Sequence, residues 1–270
     1  LFISSPTGRN WFYDLYQYAQ TGEDEDWESW QFTTLEGGNV PPDEIESAKR
    51  DLDERTFRQE YEAKFVTYSG LVYYGFDYQE NVIDCPYNPD EPVLIGMDFN
   101  IDPMTATIFQ YDEEEEVLYV VDEVEIFGSN TDEMAEEILC RYPEQQIVVY
   151  PDPACVQTRT SAGGRTDLSI LQSYGFKCKF RRKHPFVRDR INAVNSRFCS
   201  ADGDRRLFIH KKCKRTIQAL ERHSYKHGTN VPEKGGEKDY SHITDSIGYL
   251  VEYIFPINRQ EMSTTKVYGV

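Results

Sequence analysis

The apolar run Val93-Leu94-Ile95-Gly96-Met97, which ends at Asp98, is a compact strand candidate from which the rest of the sequence can be interpreted. Its length fits a buried strand better than a helix. Two further strands are predicted at 105–111 and 117–127, with the acidic turn 112–116 between them. Three strands joined by short turns are typical of an antiparallel meander.

Helices and strands alternate downstream of the meander. A helix capped by Asn130 precedes a buried strand at 146–150, which Pro151-Asp152-Pro153 ends. The remaining predicted helices are 168–174, 187–199, 213–220 and 242–255, and the remaining predicted strands are 176–180 and 207–209. This order predicts an α/β fold in which the meander is followed by alternating helices and strands.

Residues 1–65 differ in pattern from the rest of the chain. They contain a helix that is predicted to run from Pro42 to Tyr61, with acids in its first turn, where the helix dipole favours negative charge. We interpret 1–65 as a connector without a core of its own. The main domain is then 66–260, and 261–270 is a C-terminal tail.

The composition indicates a chain with a hydrophobic core and no membrane segment. Of the 270 residues, 39% are hydrophobic, yet no apolar run is long enough to span a bilayer or to act as a signal peptide. The six cysteines are scattered and form no C-x-x-C pair. This argues against a zinc site and favours reduced thiols in a cytoplasm.

A basic span is hidden by the net charge of −18. Of the 29 Lys and Arg residues, 16 lie between Lys177 and Lys226, together with only four acidic residues. Contacts with DNA backbone phosphates explain this concentration. A charged helix face around 211–215 is also typical of a solvated surface. The candidate DNA-binding residues are Lys177, Lys179, Arg181, Arg182, Lys183, Arg188, Arg190, Lys211 and Lys212.

Three acidic residues occupy positions where chemistry is expected. Asp98 and Asp152 each end an apolar strand, and Asp245 lies in the first turn of the last predicted helix. If the two strands are neighbours, both carboxylates emerge at one sheet edge, where the helix adds the third. Each acid also has a structural alternative, namely a turn, an N-cap or a charge that complements the helix dipole.

Carboxylate oxygens are hard ligands that suit Mg²⁺ or Mn²⁺. A cluster of three can hold two such ions, one to activate the attacking water and one to stabilise the leaving oxygen during phosphodiester cleavage. Together with the basic span, the acids predict a metal-dependent DNA nuclease with Asp98, Asp152 and Asp245 as metal ligands. His242 lies three residues before Asp245 and is a candidate ligand or proton carrier, or else a histidine that faces solvent.

Three motifs carry a resemblance to a known family. They are Gly96-Met97-Asp98, Tyr150-Pro151-Asp152-Pro153-Ala154 and His242-Ile243-Thr244-Asp245-Ser246. With them, the chain resembles the C-terminal nuclease region of the large terminase subunit of tailed double-stranded DNA phages, including prophage copies. The resemblance implies a ribonuclease H-like fold, similar to resolvases and retroviral-type integrases. It implies a mixed sheet of five to seven strands, three antiparallel and then parallel, flanked by helices.

The resemblance extends to the beginning of the chain. Ile3-Ser4-Ser5-Pro6-Thr7-Gly8 is similar to the coupling motif late in the terminase ATPase domain, so that 1–65 would be the end of that domain and its linker. The phosphate-binding loop and the acid pair of that ATPase do not occur in this sequence, and no ATP hydrolysis is expected of it. The implied partners are concatemeric double-stranded DNA, the small terminase subunit and the portal protein, in the host cytoplasm.

Two other functions remain open at this point. A ribonuclease H-like enzyme of the resolvase or integrase type would keep the three acids but prefer branched DNA or donor ends. A non-catalytic docking module for portal or capsid would bind no metal, and Asp→Ala changes would cost it no function.

Overall fold

A computed structural model describes residues 1–6, 11–66, 70–157, 164–235 and 239–257. The predicted tail 261–270 and the Thr7-Gly8 end of the coupling motif lie outside these ranges. The described chain is built on a seven-stranded sheet. Its strands are β1 (Val82–Ile83), β2 (Val93–Asp98), β3 (Met104–Asp112), β4 (Val117–Ile126), β5 (Ile147–Pro151), β6 (Lys177–Cys178) and β7 (Leu207–His210).

The sheet is mixed, with the order β1-β7-β4-β3-β2-β5-β6. Strands β2, β3 and β4 form the predicted antiparallel meander. Strands β5 and β6 add parallel to β2 on one side, and β7 and β1 add parallel to β4 on the other. This confirms the predicted fold class. Strand β1 was not predicted, and β6 is shorter than the predicted strand 176–180.

The described chain contains ten helices. They are α1 (Trp11–Thr21), α2 (Thr34–Gly37), α3 (Pro42–Asp51), α4 (Glu54–Glu60), α5 (Tyr78–Asn81), α6 (Thr131–Arg141), α7 (Asp167–Ser173), α8 (Val187–Phe198), α9 (Lys214–Arg222) and α10 (Ser241–Ile254). None of them is both long and apolar enough to cross a membrane. A short 3₁₀ turn, Pro153–Val156, follows β5.

The hydrophobic core lies in two layers, one on each face of the sheet. On one face, Ile95 and Met97 of β2 belong to the same buried cluster as Met134 and Ile138 of α6. On the other face, helices α8, α9 and α10 cover the sheet through side chains such as Phe198. Because successive residues of a strand point to opposite faces, Gly96 and Asp98 lie on the α10 side.

Helix α10 comes into direct backbone contact with the sheet at Gly96. A Cβ atom at this position would overlap the carbonyl oxygen of Ser246 and would lie 3.3 Å from Oγ1 of Thr107. The hydroxyls of Thr107 and Ser246 are 3.0 Å apart and bond to each other. Glycine is therefore required here by the approach of α10, and this approach sets the height of the first turns of α10 above Asp98.

The helix predicted to run from Pro42 to Tyr61 is in fact two helices, α3 and α4. Asp53 separates them because its carboxylate accepts the backbone N–H of Thr56 at 3.1 Å and thereby begins a new helix. Asp53 is fully buried and pairs with Ser200 in an isolated β-bridge. The N–H of Ala201 also donates to the carbonyl of Leu52 at 2.8 Å, so the start of α4 is joined to the main domain.

Candidate metal centre

The three acids reach the same edge of the sheet from three elements. Strands β2 and β5 are parallel neighbours with Met97 opposite Pro151, and the N–H of Asp152 donates to the carbonyl of Met97 at 3.0 Å. Asp98 and Asp152 therefore leave the carboxyl ends of adjacent strands. Helix α10 packs across β2, β3 and β5 and carries Asp245 as its fifth residue.

Asp98 is buried, with 8% of its surface exposed, and its Oδ2 lies 2.9 Å from Nδ1 of His242. Burial raises the pKa of Asp98, the hydrogen bond from His242 opposes this rise, and the charges of Asp245 and Asp152 add to it. The three carboxylates are thus close enough to repel one another. The bond to Asp98 in turn raises the pKa of His242.

His242 is held on both ring nitrogens. While Nδ1 faces Asp98, Nε2 lies 3.0 Å from Nδ2 of Asn100 and 3.4 Å from Oδ2 of Asp239. Its side chain is only 21% exposed. This arrangement differs from a histidine that faces solvent, and it fits a group that holds or transfers a proton beside Asp98.

Asp152 is both the N-cap of the 3₁₀ turn that follows β5 and one of the three acids at the sheet edge. Its Oδ1 accepts the N–H of Ala154 at 2.8 Å and caps the 3₁₀ turn, while its Oδ2 accepts the hydroxyl of Tyr249 at 2.9 Å. His184 is also near, with Nδ1 at 3.4 Å from Oδ1. The carboxylate is therefore fixed in direction by groups on two sides.

Asp245 carries two cationic partners, one on each oxygen. Nη2 of Arg190 lies 2.6 Å from Oδ1, and Nζ of Lys234 lies 2.8 Å from Oδ2. Arg190 is buried, with 4% of its surface exposed. The sequence placed Arg190 among the DNA-binding residues, but in the structure it faces the acidic site and not the surface.

The donor set fits a hard divalent cation. Three carboxylates meet at one edge, and their mutual repulsion is what a bound cation would relieve. Within the described ranges, no group of three His, Cys, Asp or Glu side chains forms a ready-made metal cage. Each of the three carboxylates is instead held by hydrogen-bond donors of the protein, and Lys234 occupies an oxygen that a metal ion would use.

One part of the basic span lies beside Asp152. Lys179 and Arg181 line a shallow recess together with Tyr249. Arg181 forms an ion pair with Glu252 at 2.8 Å. The predicted residues on this side that remain at least partly exposed are Lys177, Lys179, Arg181, Arg182, Lys183 and Arg188.

The other part of the basic span lies at β7, which two strands separate from β2 and its Asp98. Lys211 and Lys212 follow β7, and four strands separate β7 from β6. The basic residues at β7 and those at β6 are therefore about 24 Å apart across the sheet. Lys211 pairs with Asp84 at 2.8 Å, and Lys212 approaches Asp122 at 3.8 Å. The continuous basic span of the sequence is therefore divided between two regions of the sheet.

Sequence reasoning missed several residues that hold the site. Tyr249 follows Asp245 by four residues, a spacing that puts both on one face of a helix, so it could have been found. Lys234 and His184 lie in irregular segments, and the contacts of both depend on how these segments pack. No local pattern indicates them.

A mixed sheet in which the first strand of the antiparallel meander, β2, ends in an acid, with two further acids converging on it, defines the class of ribonuclease H-like α/β domains. The model of the terminase RNaseH-like domain family matches residues 95–253. The chain belongs to this family, as its motifs predicted.

Individual relatives agree with this assignment. The chain is 26% identical over 264 residues to the large terminase subunit of Escherichia phage T5, and the alignment covers 92% of this chain and 57% of the relative. The large terminase of a thermophilic bacteriophage superposes with a TM-score of 0.65 at 17% identity, covering 93% of this chain and 60% of that one. The P22 large terminase nuclease domain superposes with a TM-score of 0.55 at 14% identity, covering 70% and 94%. The chain thus spans less than two thirds of the first two of these relatives, and the two solved structures share its fold.

Proposed function

We propose that this chain is a metal-dependent endonuclease domain that cuts concatemeric double-stranded DNA during phage genome packaging. The observation that carries the proposal is the convergence of Asp98, Asp152 and Asp245 at the carboxyl edge of β2 and β5. Membership of the terminase RNaseH-like family supports it. Residues 1–65 would be the end of an ATPase domain and its linker, without ATPase activity of their own.

The three carboxylates would hold two Mg²⁺ or Mn²⁺ ions, which supply charge stabilisation and an activated water in phosphodiester hydrolysis. Around them, the protein's own groups have separate tasks. Tyr249 and the N–H of Ala154 orient Asp152. His242 holds a proton at Nδ1, between its ring and Oδ2 of Asp98, where it is available during turnover.

The basic residues beside Asp152 would bring the DNA backbone to the site. Lys179, Arg182 and Lys183 are exposed on the segment that follows β6, at the same edge as the acids. Positive charge at this place offsets the repulsion between phosphates and a chain of net charge −18. Lys211 and Lys212 are left out of the proposed DNA contact because they follow β7, which two strands separate from β2, and because each lies beside an acid of the protein.

The proposal is tested by cutting and metal binding in parallel. Asp98→Asn and Asp245→Asn should abolish Mn²⁺-dependent cutting of plasmid DNA and weaken Mn²⁺ binding in calorimetry, because each removes a charged ligand. Asp90→Asn, at an exposed turn remote from the site, is the matched control and should change neither. Cutting that survives both active-site variants would refute the assignment.

The same assay separates the neighbouring possibilities. Preference for a four-way junction over linear duplex would indicate a resolvase-type enzyme, and absence of Mn²⁺ binding would indicate a docking module. The parent protein's partners, namely the small terminase subunit and the portal protein, and its place in the host cytoplasm belong to the same proposal. Pull-down of the full chain with portal protein tests that part.

A further inference from the structure

Arg190 is a buried cation inside a cluster of acids. It is the fourth residue of α8, has 4% of its surface exposed, and donates from Nη2 to Oδ1 of Asp245 at 2.6 Å. A guanidinium group keeps its charge at any ordinary pH. The candidate metal centre therefore includes a permanent positive charge that belongs to the protein.

The surroundings of Arg190 are shaped around its side chain. A Cβ atom at Gly248 would lie 2.6 Å from Cγ and 2.7 Å from Cδ of Arg190, so only a glycine leaves room for the arginine stem. The guanidinium carbon lies 4.4 Å from the centre of the Tyr249 ring, within the range of a cation–π contact. Helix α10 thus provides the carboxylate, the space and the ring that hold Arg190.

Lys234 is a different kind of partner. It contacts the other oxygen of Asp245, but 52% of its side chain is exposed. Breaking an exposed ion pair costs little, because water replaces the partner. Breaking a buried pair leaves an uncompensated charge and costs several times more. An incoming cation would therefore replace Lys234 at Oδ2 before it replaced Arg190 at Oδ1.

A second contact extends the influence of Arg190 to Asp152. The Tyr249 ring that lies under the guanidinium carries the hydroxyl that donates to Oδ2 of Asp152 at 2.9 Å. Two of the three acids are consequently oriented by one unit, made of Arg190 and Tyr249. Neither side chain competes with the carboxylates as a metal ligand, because Mg²⁺ prefers carboxylate oxygens to a guanidinium group or a phenol hydroxyl.

We propose that Arg190 is the positioning residue of this centre, which stays on Oδ1 of Asp245 while a divalent ion takes Oδ2 from Lys234. Arg190 would leave Asp245 one oxygen for the metal. The charge of Arg190 would weaken metal binding, whereas its hydrogen bond would hold the Asp245 carboxylate in the orientation that cutting needs. This inference rests on the proposed metal-dependent function.

Arg190→Gln in the full chain tests the two effects against each other. Removing a positive charge beside the ion should tighten Mn²⁺ binding roughly tenfold in calorimetry. Loss of the fixed carboxylate should lower plasmid cutting at saturating Mn²⁺ about 100-fold. A purely structural role predicts instead that binding and cutting fall together. Weaker or unchanged Mn²⁺ binding, or undiminished cutting, would overturn the inference.

Two further variants keep the test decisive. Arg190→Lys preserves the charge but not the planar fork, so Mn²⁺ affinity should be retained while cutting falls about tenfold; equal cutting would contradict the proposal even if Arg190→Gln does not fold. Arg197→Gln is the matched control, since Arg197 is a buried arginine of the same helix that stacks on Phe255. It should leave Mn²⁺ affinity unchanged.

The outcomes distinguish this inference from the function on which it rests. If the wild-type chain binds no Mn²⁺ and cuts no DNA, both fail. If the wild type binds and cuts but Arg190→Gln weakens Mn²⁺ binding, only the role of Arg190 fails.

Discussion

Replacing Gly96 by alanine would put a methyl group into the narrowest contact between the sheet and helix α10. The added Cβ would overlap the carbonyl oxygen of Ser246 and lie 2.8 Å from its carbonyl carbon. Both partners are backbone, so no side chain can rotate away. Helix α10 would have to move outward by about 1.5 Å to restore an ordinary van der Waals distance.

The cost follows from the contacts that this movement breaks. Overpacking of a core costs typically about 1–3 kcal/mol, and the hydrogen bond between Thr107 and Ser246 adds about 1 kcal/mol when it is lost. We expect the free energy of unfolding to fall by about 2–4 kcal/mol, and the midpoint of thermal unfolding by roughly 4–7 °C for a chain of this size. His242 and Asp245 lie close to Ser246 on α10, so cutting should fall about 100-fold.

Thermal unfolding and Mn²⁺-dependent plasmid cutting measure the two effects on the same sample. Gly37→Ala is the control, since a Cβ there meets no atom within 4 Å, and its midpoint should stay within about 2 °C of the wild type. If Gly96→Ala unfolds and cuts like the wild type, the backbone contact does not position the start of α10, and the reasoning is wrong.

Three other predictions concern charge and metal. Reversing Arg182 and Lys183 to Glu should weaken DNA binding and make the negative slope of log affinity against log salt shallower by about two. Reversing Lys211 and Lys212 to Glu should leave the affinity and the slope unchanged. Burial raises the pKa of Asp53 to about 6, so the wild type should lose up to about 3 kcal/mol of stability as the pH rises from about 4 to about 6. Asp53→Asn should remove this loss in urea titrations, and an equal loss in the variant would contradict it. Mn²⁺ at about 100 times its dissociation constant should stabilise the wild type by about 2.7 kcal/mol; a thermal midpoint unmoved by Mn²⁺ would argue against a metal site.

The sequence was sufficient for the central part of the fold. The meander could be predicted because its strands are consecutive and joined by short turns, so local pattern and pairing coincide. The position of β7 could not, since it inserts between β1 and β4, and both partners are distant in the sequence. The same non-local pairing explains why the basic span separates into two regions.

For the site, the positions of the acids were readable but their partners were not. Asp98 and Asp152 follow apolar strands, and this alone places both at a sheet edge. The burial of Arg190 depends instead on the absence of a side chain at Gly248, which belongs to a different helix. The spacing of charges along the sequence therefore does not indicate that Arg190 is buried. Proximity between non-consecutive helices is a property of packing, which propensity and periodicity do not encode.

The attachment of α4 to the main domain has a mechanical consequence. Asp53 is fully buried, its carboxylate accepts the hydroxyl of Tyr74, and Leu52 is bonded to Ala201. A pull applied through the N-terminal connector would therefore arrive at the loop after α8, the helix that carries Arg190, without first passing through the sheet. Bending of the helices before Leu52 relative to the sheet has to occur before Leu52, and tension beyond that point enters α8 at its C-terminal end, about two turns from Arg190.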